Sequence, residues 1–194
     1  MPVVSALAPV AAPTDAELLA RHAGGEPAAL DELFRRYRAL AYRVAYRLLG
    51  READALDATQ NAFVKAFTHL DRFGGRSSFK TWLLRIVCNA SLDMGRQRKR
   101  EGWNNPTTRR EPPETSGREP RAGDLERADL RRVIDAALAK IPETQRHTFV
   151  LHVDGELTYR EVAETLGISM GTVMSRLFYA RQKLKALLAD CVAP

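Results

Sequence analysis

The chain has 194 residues, enough for one ordinary domain or two small ones, with 45% hydrophobic and 28% charged residues, as in a soluble globular protein. Its net charge of +6 permits nucleic-acid binding without requiring it. Cys88 and Cys191 lie far apart without metal-ligand spacing, which argues against a disulfide framework or zinc site, and no apolar run approaches the length of a membrane span. Cys88 reads as a packed thiol and Cys191 as a tail residue. Residues 1–13 are small and proline-rich and are expected to be disordered. They lack the basic start and long apolar stretch of a signal peptide, so the expected location is the cytoplasm, without membrane insertion.

Apolar residues recur at helical spacing through most of the chain, and no alternating strand pattern stands out. In the first block, Leu30, Leu33, Phe34, Tyr37, Ala41, Val44 and Leu48 form one stripe, ending at Gly50. Leu56, Phe63, Phe67 and Leu70 form a second. Phe79, Trp82, Leu83, Ile86, Val87, Ala90 and Met94 form a third, entered through Ser77 and Ser78, both good N-cap residues. Residues 14–23 supply a short additional helix. Composition then shifts: residues 101–124 carry prolines, glycines and both charge signs, with Trp103 almost the only apolar group. Such a segment buries too little surface to offset its ordering entropy, and is expected to be a flexible linker.

The second block opens with Leu130, Val133, Ile134, Ala137, Leu138 and Ile141 on a helix stopped by Pro142. Residues 143–153 form another, closed by the turn dipeptide Asp154-Gly155. Thr158 and Glu161 have the spacing of a capping box. Val162, Ala163 and Leu166 give the short helix that follows an apolar face, and Gly167 stands where a left-handed C-terminal cap is needed. Ser169 caps a further helix from Met170 to about Leu188, with Val173, Leu177, Ala180, Leu184 and Leu187 as its buried stripe. The expected fold is all-α: two small helical bundles joined by a flexible linker, the second containing a helix-turn-helix.

Thr172, Ser175, Arg176 and Tyr179 fall at i, i+3, i+4 and i+7 of that last helix and project together. Arg181, Lys183 and Lys185 add charge, and residues 170–188 contain no acid. Arginine can bond a guanine edge in two places, and hydroxyls or lysines can hold phosphates. The same pattern also serves a solvated basic helix or a motif used for protein contacts, and the residues alone leave these readings open.

Ile141-Pro142-Glu143, the stretch Gly155 to Ala163, and Gly171 to Leu177 resemble region 4 of bacterial sigma factors. Asp54 to Phe63 resembles the region-2 helix that docks on RNA polymerase. Phe73 to Leu83, followed by Arg85 to Asn89, resembles the promoter-melting and minus-ten-reading segment. Two blocks in this order, with no room for a middle domain, resemble the extracytoplasmic-function (ECF) group of the sigma-70 family. The resemblance covers roughly residues 28–100 and 126–188. It implies region 2 over 14–100 and region 4 over 125–190.

The resemblance also implies partners and roles. Core polymerase would dock on Asp54, Asp57, Gln60 and Asn61, expected to face away from the Leu56/Phe63/Phe67 stripe. The family often has acids where this chain has Leu56 and Asn61, and fewer charges weaken steering toward a basic partner. Single-stranded minus-ten DNA would meet Phe73, Arg76, Ser78, Lys80, Arg85, Asn89, Arg96, Arg98 and Lys99, with Phe79 and Trp82 assigned to packing. Duplex minus-thirty-five DNA would meet Thr172, Ser175, Arg176, Tyr179, Arg181 and Lys183. Met174 and Tyr179 stand where the family usually has basic residues, so a different upstream sequence is expected. An anti-sigma factor is the expected regulatory partner. No cofactor, metal or enzymatic activity is expected: there is no nucleophile–base pair or phosphate-binding glycine loop, and His22, His69, His147 and His152 are scattered. The competing reading is a helix-turn-helix regulator that is not a polymerase subunit.

Overall fold

A computed structural model of the protein describes residues 12–100 and 124–192. The described residues form helices α1 (Asp15–Ala23), α2 (Ala28–Leu49), α3 (Glu52–Thr68), α4 (Phe79–Arg100), α5 (Asp124–Ala139), α6 (Glu143–Val153), α7 (Tyr159–Leu166) and α8 (Met170–Val192), with one 3-10 turn at Leu70–Arg72 and no strand among them. The all-α expectation holds. The proposed disordered N-terminus (almost entirely), the linker with Trp103, and the side chain of Cys191 lie outside the described residues. No helix among the described residues is long and apolar enough to cross a membrane.

The chain divides into two compact units with the boundary between Tyr37 and Arg38. In the first, Thr14 caps α1 through a capping box, its amide donating to Glu17 Oε2 at 2.6 Å. Asp15 then receives Arg36 Nη1 at 2.5 Å and the Tyr37 hydroxyl, and Arg36 Nη2 also donates to the Pro13 carbonyl at 2.6 Å. One aspartate thereby ties the start of α1 to the middle of the next helix.

In the second unit α3 packs on α4, while α5, α6 and α7 all pack against α8. The buried face of α3 is Ala55, Ala58, Thr59, Ala62, Phe63 and Ala66, together with Asp54. This corrects the expected stripe. Leu56 is 53% exposed and Asp54 only 4%. The physical reason is size: four alanines let α3 approach α4 closely, and small residues carry little hydrophobic signal beside a leucine. Asp54 is matched by Arg98 at the far end of α4, which bonds its carboxylate.

Ser78 caps α4 as expected, its hydroxyl accepting from the Thr81 amide at 3.1 Å. Phe79, Leu83, Leu84, Val87 and Cys88 are buried along it. Cys88 is the packed thiol expected, and burial pushes its pKa up to about 12.

In the second block, Ala137, Leu138 and Ile141 meet Ala180 and Leu184, flanked by Ile134, Phe149, Leu187 and Leu188. Leu130, expected in this stripe, is exposed; it lies two turns before Ala137, where the core begins. The turn after α6 falls at Asp154-Gly155, as expected. Glu156 rather than Gly155 has the positive φ, at 54°. Gly155 is needed for space, because a Cβ there would lie 2.5 Å from the Leu151 carbonyl oxygen and 3.1 Å from Leu84 Cδ1. Helix α8 continues to Val192, past the expected end, since nothing after Leu188 breaks it before Pro194.

The contact boundary differs from the compositional one at 101–124. Helix α4 packs on α7, and Arg47 of α2 pairs with Asp135 and Asp154, so the helices on both sides of 101–123 belong to one unit.

Candidate nucleic-acid interface

The helix-turn-helix is built from local chemistry. The Thr158 hydroxyl accepts from the Glu161 amide at 3.3 Å, and the Glu161 carboxylate accepts from the Thr158 amide at 2.9 Å. Gly167 ends α7 in the left-handed region at φ 64°, a conformation glycine adopts without steric cost. Ser169 then accepts the Thr172 amide at 3.1 Å and starts α8. Val173, Leu177, Ala180 and Leu184 are buried, as their spacing predicts.

The outer face of α8 exposes Ser175, Tyr179, Arg181 and Lys183, while Thr172 and Arg176 are half-buried. The Thr172 hydroxyl shares a 2.9 Å hydrogen bond with Ser169, and the Ser175 hydroxyl donates to the Thr172 carbonyl at 3.0 Å. Both oxygens keep acceptor capacity, but both side chains also stabilise the first turn. Arg181, Lys183 and Lys185 give this face a positive character that no acid in 170–188 offsets.

On α4 and its entry loop the aromatic residues form a cluster. Phe73 lies 6.0 Å from Phe79 and 5.2 Å from Trp82 between ring centroids, and Phe79 lies 5.9 Å from Trp82. Phe79 is buried and Trp82 half-buried, in line with the packing role assigned to them. Phe73 is half-buried by the same rings. Arg76, Arg85, Asn89 and Arg96 are exposed, with Arg96 3.5 Å from Asp93. Ser78 is exposed but occupied as the cap. Lys80 is half-buried and donates to the Glu156 carbonyl at 3.4 Å. Arg98 is half-buried and bonds the buried Asp54 carboxylate. The Lys99 side chain lies outside the described residues.

On α3, Asp57, Gln60 and Asn61 share the outer face, whereas Asp54 points into the protein. The outer face of α3 thus carries one acid fewer than expected.

The family profile Sigma-70 region 2 matches residues 33–101, and Sigma-70, region 4 matches residues 131–184. The ECF RNA polymerase sigma factor SigM of Mycobacterium tuberculosis is 35% identical over 176 residues, covering 90% of this chain and 85% of that protein. This chain belongs to the ECF family of RNA polymerase sigma factors. SigE of Mycolicibacterium smegmatis, also an ECF sigma factor, is 37% identical over 177 residues, 86% of this chain; the chain spans 65% of that relative's length. Among solved structures, CnrH in complex with the cytosolic domain of CnrY has a TM-score of 0.67 at 30% identity, covering 92% of this chain and 99% of that one. The sigma factor RpoE bound to the anti-sigma factor NepR from Bartonella quintana also scores 0.67, at 25% identity, covering 82% of this chain and 96% of that one.

In this ECF sigma factor, region 2 takes in most of α2, all of α3 and α4, and region 4 runs from α5 into α8. Two features of these regions escaped sequence reading. Met174 and Phe178 are large, apolar and exposed, and line an open groove with Tyr159, Tyr179, Arg181 and Lys185. Their signal was present: they sit one residue beyond Val173 and Leu177, just off the buried stripe. Leu56 and Val64 are likewise exposed beside Asp57 and Asn61.

Glu161 serves two helices. Besides capping α7, its Oε1 accepts the Thr81 hydroxyl of α4 at 2.6 Å. Burial would raise its pKa, but the hydrogen bonds from Thr81 and Thr158, with Lys80 nearby, outweigh it and hold the carboxyl below the usual range.

Proposed function

We propose that this chain binds core RNA polymerase through the outer face of α3 and directs promoter-specific initiation. In this reading residues 14–100 form the docking and melting module, residues 125–190 form the upstream-reading module, and residues 101–124 join them. Asp57, Gln60 and Asn61 meet the polymerase. Arg76, Arg85, Asn89 and Arg96 line the path of the melted non-template strand, where cations follow the backbone and polar groups meet unstacked bases. Helix α8 enters the major groove of the minus-thirty-five element, with Arg176 toward base edges or phosphate and Arg181 and Lys183 toward phosphates.

The observation that carries this reading is the presence in one chain, and in this order, of a helix with a polar docking face, a basic α4 and a helix-turn-helix with an acid-free outer face. No step of it is covalent: the protein acts by binding and is not an enzyme. An anti-sigma factor is the proposed regulator, by analogy with the CnrY and NepR complexes of its structural relatives.

Footprinting tests the proposal. The chain together with core polymerase is expected to protect both promoter elements of its target, with permanganate-reactive thymines near minus ten, while the free chain protects neither. Equal protection by the free chain would instead make it a regulator acting without polymerase.

A further inference from the structure

Met174 and Phe178 stand at i and i+4 on the outer face of α8, 48% and 55% exposed. Both lie in the first half of the helix, the part of a recognition helix that meets base edges in this motif. The Phe178 ring meets the Tyr179 ring edge to face, with centroids 5.4 Å apart. That contact restricts the ring before any partner arrives, so less rotamer freedom is lost on binding. The two apolar side chains share one groove with Arg181 and Lys185, and residues 170–188 contain no acid. One partner must therefore satisfy apolar groups and cations together. Duplex DNA does so: its phosphates take the cations, and its major groove carries one apolar group, the 5-methyl of thymine.

Ser175 adds a polar constraint beside Met174. Its hydroxyl donates to the Thr172 carbonyl at 3.0 Å, so its proton is used inside the helix and its oxygen faces outward as an acceptor. In the major groove adenine presents an amino donor, whereas guanine presents two acceptors. An acceptor at position 175 fits the adenine of an A·T pair and opposes guanine. A methionine at 174 fits the methyl of the thymine and, unlike a lysine or arginine, has no donor for guanine. The two neighbours thus select the same base pair by different groups.

We propose that Met174 and Phe178 read thymine methyl groups, with Ser175 accepting from adenine, so that the upstream element of this sigma factor is specified by A·T pairs rather than by guanine contacts at these positions. The inference rests on the sigma-factor reading above and names the base chemistry that its α8 selects. Side chains four residues apart are separated by roughly 6 Å along a helix. At 3.4 Å per base step, that places the two thymines no more than about two steps apart.

The test uses the full chain with core polymerase and promoter duplexes randomised across the minus-thirty-five element. Selected duplexes are expected to carry thymine at two positions with this spacing. Replacing either thymine by deoxyuridine removes only its methyl, and should weaken holoenzyme binding about fourfold, the loss of one buried methyl contact. The same replacement at flanking thymines should change nothing. Phe178→Ala should abolish the methyl effect at one position. Met174→Lys should abolish it at the other and move selection there toward guanine, while Met174→Leu retains it. Selection of guanine at both positions, equal binding of thymine and deoxyuridine duplexes, or a methyl effect that survives both Met174→Lys and Phe178→Ala overturns the inference. Any of these results, with promoter selection intact, leaves the sigma reading standing. If the chain gives polymerase no selectivity for any element, the sigma reading fails and this inference falls with it.

Discussion

Helices α3 and α8 both present one face to the protein and the other to a proposed partner, but they are held in different ways. Helix α8 buries Val173, Leu177, Ala180 and Leu184, so volume and dispersion hold it among α5, α6 and α7. Helix α3 buries alanines and a carboxylate, and its place on α4 depends on close approach and on the Asp54–Arg98 pair. The partner faces differ correspondingly. That of α8 is basic with exposed apolar side chains, while that of α3 is polar with Asp57 exposed and Asp54 withdrawn.

The contrast can be broken by mutation. Asp54→Ala leaves Arg98 without its buried partner and is expected to cost about 3–5 kcal/mol in a urea melt, whereas Asp57→Ala should weaken core binding at nearly unchanged stability. If Asp54→Ala instead leaves stability intact and weakens only core binding, Asp54 is a docking residue after all. Leu177→Ala should cost about 2–5 kcal/mol by opening a cavity under α8, measured in the same melt. Ala58→Leu sharpens the difference from the other direction: overpacking the α3–α4 contact should cost about 1–3 kcal/mol, though it adds apolar surface. The smallest stability change is expected for Arg181→Ala, within about 0.5 kcal/mol. Its effect should appear in DNA binding, where one lost phosphate contact flattens the salt dependence by about one unit of slope.

The helix-turn-helix was legible nearly to the residue because each of its signals is local: a Thr–Glu capping box, a glycine at a left-handed cap, a serine cap and a stripe of branched aliphatics. The region-2 surface was less so. Leucine at position 56 outweighed alanines at 55, 58 and 62 in the periodicity, although it is the alanines that allow the helices to meet. Arg98 read as part of a cationic run, since nothing local reveals that an acid 44 positions earlier in the chain claims it. Phe73 read as a free aromatic because its partners, Phe79 and Trp82, become neighbours only when the loop folds back on α4. The contacts of Thr81 with Glu161 and of Arg47 with Asp135 and Asp154 cross the undescribed segment, and no periodicity encodes them.

The central claim is that this chain confers promoter selectivity on RNA polymerase. Run-off transcription with purified core polymerase, with and without the chain, on genomic fragments bound in cells after overexpression, tests it most directly. The account predicts discrete transcripts starting a fixed distance downstream of a shared pair of sequence elements, only when the chain is present. An identical transcript pattern with and without the chain would contradict it.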